Sequence, residues 1–258
     1  MGYIYKIVFR DIDIPTKLPN EQNKNLFCFI VCGYNNRFWI LLNLRSIFIQ
    51  QYRNFKVIII DDCSTDNSVQ TINEFVNKHN LQQFVEIITN EKNMGPAYSR
   101  YIGIQKANDN DILCFLDGDD WLICDNALDI LNDNYNKGCL MTVGTHVYLS
   151  KLRKLGTISG RSDIDINHPK RYHLRTGYKY IWNDMPINYI KDNSGEFIRY
   201  CTDFNELVWG YSKIDKTKFV KIFDFLCIYN KSGPTTESNT IEYKTKIINE
   251  LKNKWISL

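Results

Sequence analysis

Short apolar runs and amphipathic stretches alternate along the first half of the chain, with polar turn residues between them. The run LFCFIVCGYNN (26–36) has strand length and ends in turn residues. After it, FWILLNLRSIFIQQY sets Leu41, Leu44 and Phe48 at helical spacing. FKVIII (55–60) is β-branched and unbroken by polar side chains, as in a strand buried on both faces. DDCSTDNSVQTINEFVNKHN offers Ser64, Thr65 and Asp66 as N-caps to a helix with Val69, Ile72 and Val76 inward. VEIIT reads as the next strand, PAYSRYIGIQKA as a helix with Pro96 in its first turn, and DILCFL as a further strand. This alternation predicts an α/β fold, a mostly parallel, doubly wound sheet with helices on both faces and right-handed crossovers. Ligands in such sheets bind beyond the carboxyl ends of the strands, where CGYNN, DDCSTD, TNEKNMG and DGDD all fall.

Towards the two ends the pattern is less regular. DIDIPTKLPNEQNKN (11–25), polar with two prolines, reads as a linker from a short N-terminal strand. Beyond about Ser150, KLGTISGRSDIDIN suggests a hairpin or loop and HLRTGYKYIWND a helix start. LMTVGTHVYLS and KFVKIFDFLCIYN read as strands, and NTIEYKTKIINELKNKW as a closing amphipathic helix. Its stripe of Ile241, Ile248, Leu251 and Trp255 reads as core packing, with a peripheral membrane contact as the alternative.

Composition narrows the class. A chain of 258 residues can bury one large core or two small ones. A net charge of +3 is too mild to argue for nucleic acid. No apolar stretch approaches the roughly 20 residues that span a bilayer, and MGYIYKIVFRD lacks the apolar core of a signal peptide. The eight cysteines form no CxxC pair, and several sit inside apolar runs. They read as reduced, mostly buried thiols of a cytoplasmic protein.

Candidate chemistry gathers at the strand ends. In CFLDGDDWL, Asp117 and Asp119 stand in an Asp-x-Asp arrangement after a buried strand. Hard cations such as Mg²⁺ or Mn²⁺ take oxygen ligands and keep water or phosphate in their shell. The alternative is a solvated acidic turn with Asp120 capping a helix. In IIIDDCSTD, Asp61 or Asp62 can accept hydrogen bonds from a nucleobase or ribose, or the turn simply caps the helix. In NEKNMGPAYSR, Gly95 and Pro96 lead into a helix N-terminus that favours anions, and Arg100 follows within reach of a phosphate. There is no P-loop, GxGxxG, GxSxG or HExxH, and the four histidines lack metal-ligand spacing.

In order and spacing, FIVCGYNN, SIFIQQYRNFKVIIIDDCSTDNSV and NEKNMGPAYSRYIGIQKANDNDILCFLDGDDWL resemble glycosyltransferase family 2, the inverting enzymes of GT-A (Rossmann-like) fold. The resemblance implies a single GT-A domain over 1–258, with a nucleotide-sugar-binding half (26–145) and an acceptor-binding half (146–258). It implies a nucleotide-diphosphate sugar donor, UDP-sugar being the commoner one, a Mn²⁺ or Mg²⁺ cofactor, and a glycan or glycoconjugate acceptor. Cys32, Gly33, Tyr34 and Asp62 would line the base and ribose, Arg100 would approach the diphosphate, and Asp117 with Asp119 would bracket ribose and metal. HLRTGYKYIW, GEFIRYCTDFNEL and YNKSGP resemble a less familiar subgroup, in which Asp203 would be the catalytic base, with Asp184 and Glu206 competing. Cys124 departs from the proline that usually follows the Asp-x-Asp turn, and the Gln-x-x-Arg-Trp motif of processive synthases is missing, which favours transfer of one sugar. A nucleotide-sugar-binding protein without catalysis and a nucleotidyltransferase are the rival readings; CGYNNRFW is not the glycine-rich basic loop that the latter needs.

Overall fold

The computed structural model describes residues 25–149, 155–158, 173–200, 202–230 and 241–256. The expected N-terminal strand and most of the 11–25 linker lie outside them, as does most of the 154–167 hairpin region. The first half runs β1 (Phe27–Gly33), α1 (Arg37–Phe48), β2 (Phe55–Asp61), α2 (Ser68–Lys78), β3 (Val85–Thr89), α3 (Pro96–Lys106) and β4 (Ile112–Phe115). Next come β5 (Trp121–Leu122), α4 (Ala127–Asn136), β6 (Met141–Leu149), β7 (Leu155–Ile158) and β8 (Arg175–Tyr178). The described chain closes with α5 (Thr202–Lys213), β9 (Phe219–Asn230) and α6 (Ile241–Ile256).

Among the described residues these strands form one mixed sheet in the order β3-β2-β1-β4-β8-β6-β9-β5, with β7 paired to β6. The stretch β3-β2-β1-β4 is parallel throughout, and Gly33 faces Asp61 at the carboxyl ends of β1 and β2. β8 then enters antiparallel between β4 and β6, β9 runs parallel to β6, and β5 closes the far edge antiparallel to β9.

Alternation along the strands divides the core by face. Phe27, Phe29, Val31, Val57 and Ile59 point to one side, where they meet α1, α2 and α4 through Leu44, Ile72 and Leu131. Cys28, Ile30, Ile58 and Ile60 point to the other, where they meet α3 and α5 through Ile104 and Leu207. Ile247 and Leu251 of α6 are buried in that second core; of the expected stripe Ile248 is half-buried, and the side chains of Ile241 and Trp255 lie outside the described set. The doubly wound arrangement expected from the sequence is present, with the antiparallel strand pairs contributed by β5, β7 and β8.

Two local expectations change. Arg175–Tyr178 is a strand, not the start of a helix, and only Lys179–Trp182 coils, as a 3₁₀ turn. The reason is lateral: Gly177 pairs with Leu113 on one side and Met141 on the other, and the Thr176 hydroxyl bonds those of Thr142 and Tyr135. At the start of α2, Asn67 takes the cap position with φ 66°, and Asp66 instead accepts from the Ser68 amide and hydroxyl.

Candidate active site

Three loops at the carboxyl ends of β1, β2 and β4 are tied into one floor. The Asp62 amide donates to the Gly33 carbonyl and the Gly118 amide to the Cys32 carbonyl, each at 2.8 Å. The amides of Asn35, Asn36 and Arg37 donate to Ser64 Oγ, Ser68 Oγ and Asp66 Oδ2 at 2.9, 3.1 and 3.0 Å. Burial works against the charge on Asp66, but the Ser68 hydroxyl and the amides of Arg37, Ser68 and Asp66 itself outweigh it and hold the carboxyl below its usual range. The buried Asn36 side chain wedges between β1 and the acidic turn. A Cβ on Gly118 would lie 2.1 Å from its Nδ2 and one on Gly33 2.4 Å, so a side chain at either position would displace Asn36.

The acidic turn hangs from α1. Asn43 Nδ2 donates to the carbonyls of Asp117 at 3.0 Å and Asp120 at 2.8 Å. Trp121, next along, stacks on Trp39 of α1 with centroids 6.1 Å apart and planes 7° from parallel. Its three carboxylates then meet different surroundings. Asp117 takes Arg100 Nη2 at 2.7 Å on both oxygens. Asp120 is buried and accepts from the Asn230 amide at the end of β9 at 2.8 Å; it caps no helix. Asp119 forms no ion pair with a described residue. Burial and then the charge of Asp117 push it up to about 7, against the pull of its own amide and Arg100. Burial pushes Asp120 up as well, followed by Asp119 and Asp117, with Arg175 opposing.

Arg100 is itself 4% exposed. Besides Asp117 it donates from Nη1 to Thr202 Oγ1, and its Nε lies 3.4 Å from Glu206 Oε1. One guanidinium thus faces two carboxylates, Asp117 and Glu206, with the Asp119 carboxyl on the same turn.

The remaining expected residues fall as follows. Cys32, the last residue but one of β1, is a buried thiol, raised by burial against the opposing charge of Arg100, and Tyr34 beyond the strand is half-buried. The Asp62 carboxylate accepts from Asn90 Nδ2 and the Met94 amide at 2.8 Å on Oδ1, and from the Gly95 amide at 2.7 Å on Oδ2. It therefore shapes the 90–95 loop, with part of its acceptor capacity left. Asp203 is the second residue of α5, directly after Thr202, but its side chain lies outside the described set. Glu206 is buried beside Arg100, whereas Asp184 is exposed and paired at 2.7 Å with Lys213, at the opposite end of α5. Sequence reasoning passed over Asn36, Asn43 and Thr202. Asn43 had a signal, a polar residue one step from Leu44 on a buried helix face whose other members, Ser46 apart, are apolar.

A half-parallel sheet whose strand ends carry a nucleotide-type floor and an acidic turn defines the GT-A class of fold. The model for "Glycosyl transferase family 2" matches residues 28–191, and the chain belongs to that family. An uncharacterized glycosyltransferase of Haemophilus influenzae is 33% identical over 127 residues, 49% of either chain. The poly(ribitol-phosphate) beta-N-acetylglucosaminyltransferase TarS of Staphylococcus aureus is 33% identical over 98 residues, 37% of this chain and 16% of that one. The chain spans about half or less of the length of the first curated relatives it matches. Among solved structures, S. aureus TarS 1–349 in complex with UDP-GlcNAc superposes with TM-score 0.63 at 17% identity, over 87% of this chain and 67% of that one. The mannosyltransferase PcManGT of Pyrobaculum calidifontis, in complex with GDP-Man and Mn²⁺, gives 0.57 at 13% identity over 96% and 67%. No helix among the described residues is long and apolar enough to cross a membrane.

Proposed function

We propose that the chain is an inverting, metal-dependent glycosyltransferase moving one sugar from a nucleoside-diphosphate sugar, a UDP-sugar, to a hydroxyl of a glycan or glycoconjugate. The observation that carries this reading is the acidic turn, where Asp119 has no cationic partner among the described residues while Asp117 has Arg100. The oxygen-only donor set and the surplus negative charge fit a hard divalent cation, Mn²⁺ or Mg²⁺, on Asp117 and Asp119. When bound, that cation supplies the charge that stabilises the departing diphosphate. The UDP-GlcNAc held by the TarS structure supports the choice of nucleotide.

In this reading Cys32, Gly33, Tyr34 and Asp62 line the base and ribose, and the 26–145 half serves the donor while 146–258 serves the acceptor, as one domain. Asp203, as general base, takes the proton from the acceptor hydroxyl. The hydroxyl oxygen attacks the anomeric carbon from the face opposite the diphosphate, the carbon–oxygen bond to phosphate breaks, and the nucleoside diphosphate leaves with the electron pair. Configuration inverts and no enzyme nucleophile is required. The described cysteines are free thiols, which supports a cytoplasmic setting for such glycan biosynthesis.

The test is thermal stability against UDP-, GDP-, CDP- and TDP-sugars, with and without Mn²⁺. A Mn²⁺-dependent rise in Tm with UDP-sugars, lost in Asp119→Asn, is expected. No shift with any nucleotide sugar would leave a degenerate binding fold without its ligand and overturn the reading.

A further inference from the structure

Within the site, Arg100 joins side chains from both halves of the chain. It projects from α3 and meets Asp117 at the end of the parallel half. It also meets Thr202 and Glu206, which stand four apart on the first two turns of α5 and so share one face of that helix. Asp203 lies between them in sequence. A guanidinium is a planar fork whose donors hold fixed directions, so three partners at once define an orientation and not merely a contact. At 4% exposure, this fork is buried between the acidic turn and α5, with Asp117, Thr202 and Glu206 around it.

We infer that Arg100 is a positioning residue of the transfer reaction: it sets the first turn of α5, and with it Asp203, against the donor turn at Asp117. This replaces the diphosphate contact expected from the resemblance, and it rests on the reading of Asp203 as the base. The physical consequence is a rate effect separate from donor binding. Misplacing a base by about 1 Å costs on the order of 100-fold in rate, while a donor held by the β1, β2 and β4 loops keeps its affinity.

Arg100→Lys and Thr202→Val each test this, the second being nearly isosteric and leaving the ion pairs intact. The measurements are UDP affinity with Mn²⁺ by calorimetry, hydrolysis of UDP-GlcNAc followed by UDP release, and hydrogen exchange of the peptide covering α5. The expected result is kcat down by on the order of 100-fold in Arg100→Lys, KM and UDP affinity within about threefold of wild type, and faster exchange in α5 for both variants. Non-additive effects on kcat in the double variant would mark a shared action. UDP affinity at least tenfold weaker at unchanged kcat would make Arg100 a donor ligand and overturn the inference, as would unaltered exchange in α5. Asp203→Asn separates the two readings: full hydrolysis in that variant removes the base assignment, whereas the exchange result still decides whether Arg100 sets α5. A wild-type protein that neither binds UDP nor hydrolyses UDP-GlcNAc overturns the donor reading, and exchange again decides the rest.

Discussion

Asp117 and Asp119 are two residues apart and lie in opposite electrostatic conditions, one against a guanidinium and the other against a like charge. With its carboxyl raised to about 7, Asp119 carries a proton in the cation-free protein over a pH range where an unfolded aspartate does not. Its contribution to stability is therefore present at low pH and is lost as pH rises from about 4 towards 7. A cation must displace that proton, so Mn²⁺ affinity is expected to rise about tenfold per pH unit up to about 7 and then level off. Calorimetric titration between pH 5.5 and 8.5 checks this, and Asp119→Asn is expected to remove the dependence. The carboxylates themselves were legible in the sequence because DGDD follows a buried strand. Their inequality was not, because it depends on Arg100, 17 residues away, and on Asn230, 110 residues from Asp120.

The elements that position these side chains are held by close approaches as much as by hydrogen bonds. α3 rests on the sheet at Gly103, where a Cβ would come within 2.5 Å of Ile30 Cγ2 and 2.9 Å of Ile60 Cδ1. Gly103→Val is expected to push α3 outward and cost about 1–3 kcal/mol in urea denaturation, the usual range for overpacking. It should also lower turnover, since Arg100 lies three residues away on the same helix. The parallel strands and their helices could be read from apolar runs and 3.6-residue spacing. β8 could not, because four residues are too few for either period to show and its strand character comes from neighbours on both sides. α4 was legible and went unread: Leu128, Leu131 and Tyr135 recur at helical spacing.

At the scale of the molecule the two halves of the chain are interleaved. β5 belongs to the first half of the chain yet pairs with β9, and β8 of the second half pairs with β4. Both apolar cores cross the same boundary: Ile222 and Leu226 join the first, while Ile30 and Leu207 share the second. A single cooperative unfolding transition is therefore expected in place of two. Trp39 and Trp121 report one half and Trp182 and Trp209 the other, so tryptophan fluorescence and far-ultraviolet circular dichroism should superimpose across a denaturant titration. Separate midpoints would restore the two-domain alternative that length alone allowed.

The reach of Arg100 also imposes a schedule on the growing polypeptide. Asp117 emerges 17 residues after it, but Thr202 only 102 residues after. At roughly 5–20 residues per second of synthesis, the guanidinium waits about 1–3 s for its first partner and about 5–20 s for the one on α5. A nascent chain can thus join the β1, β2 and β4 loops into their floor well before α5 exists to close on Arg100.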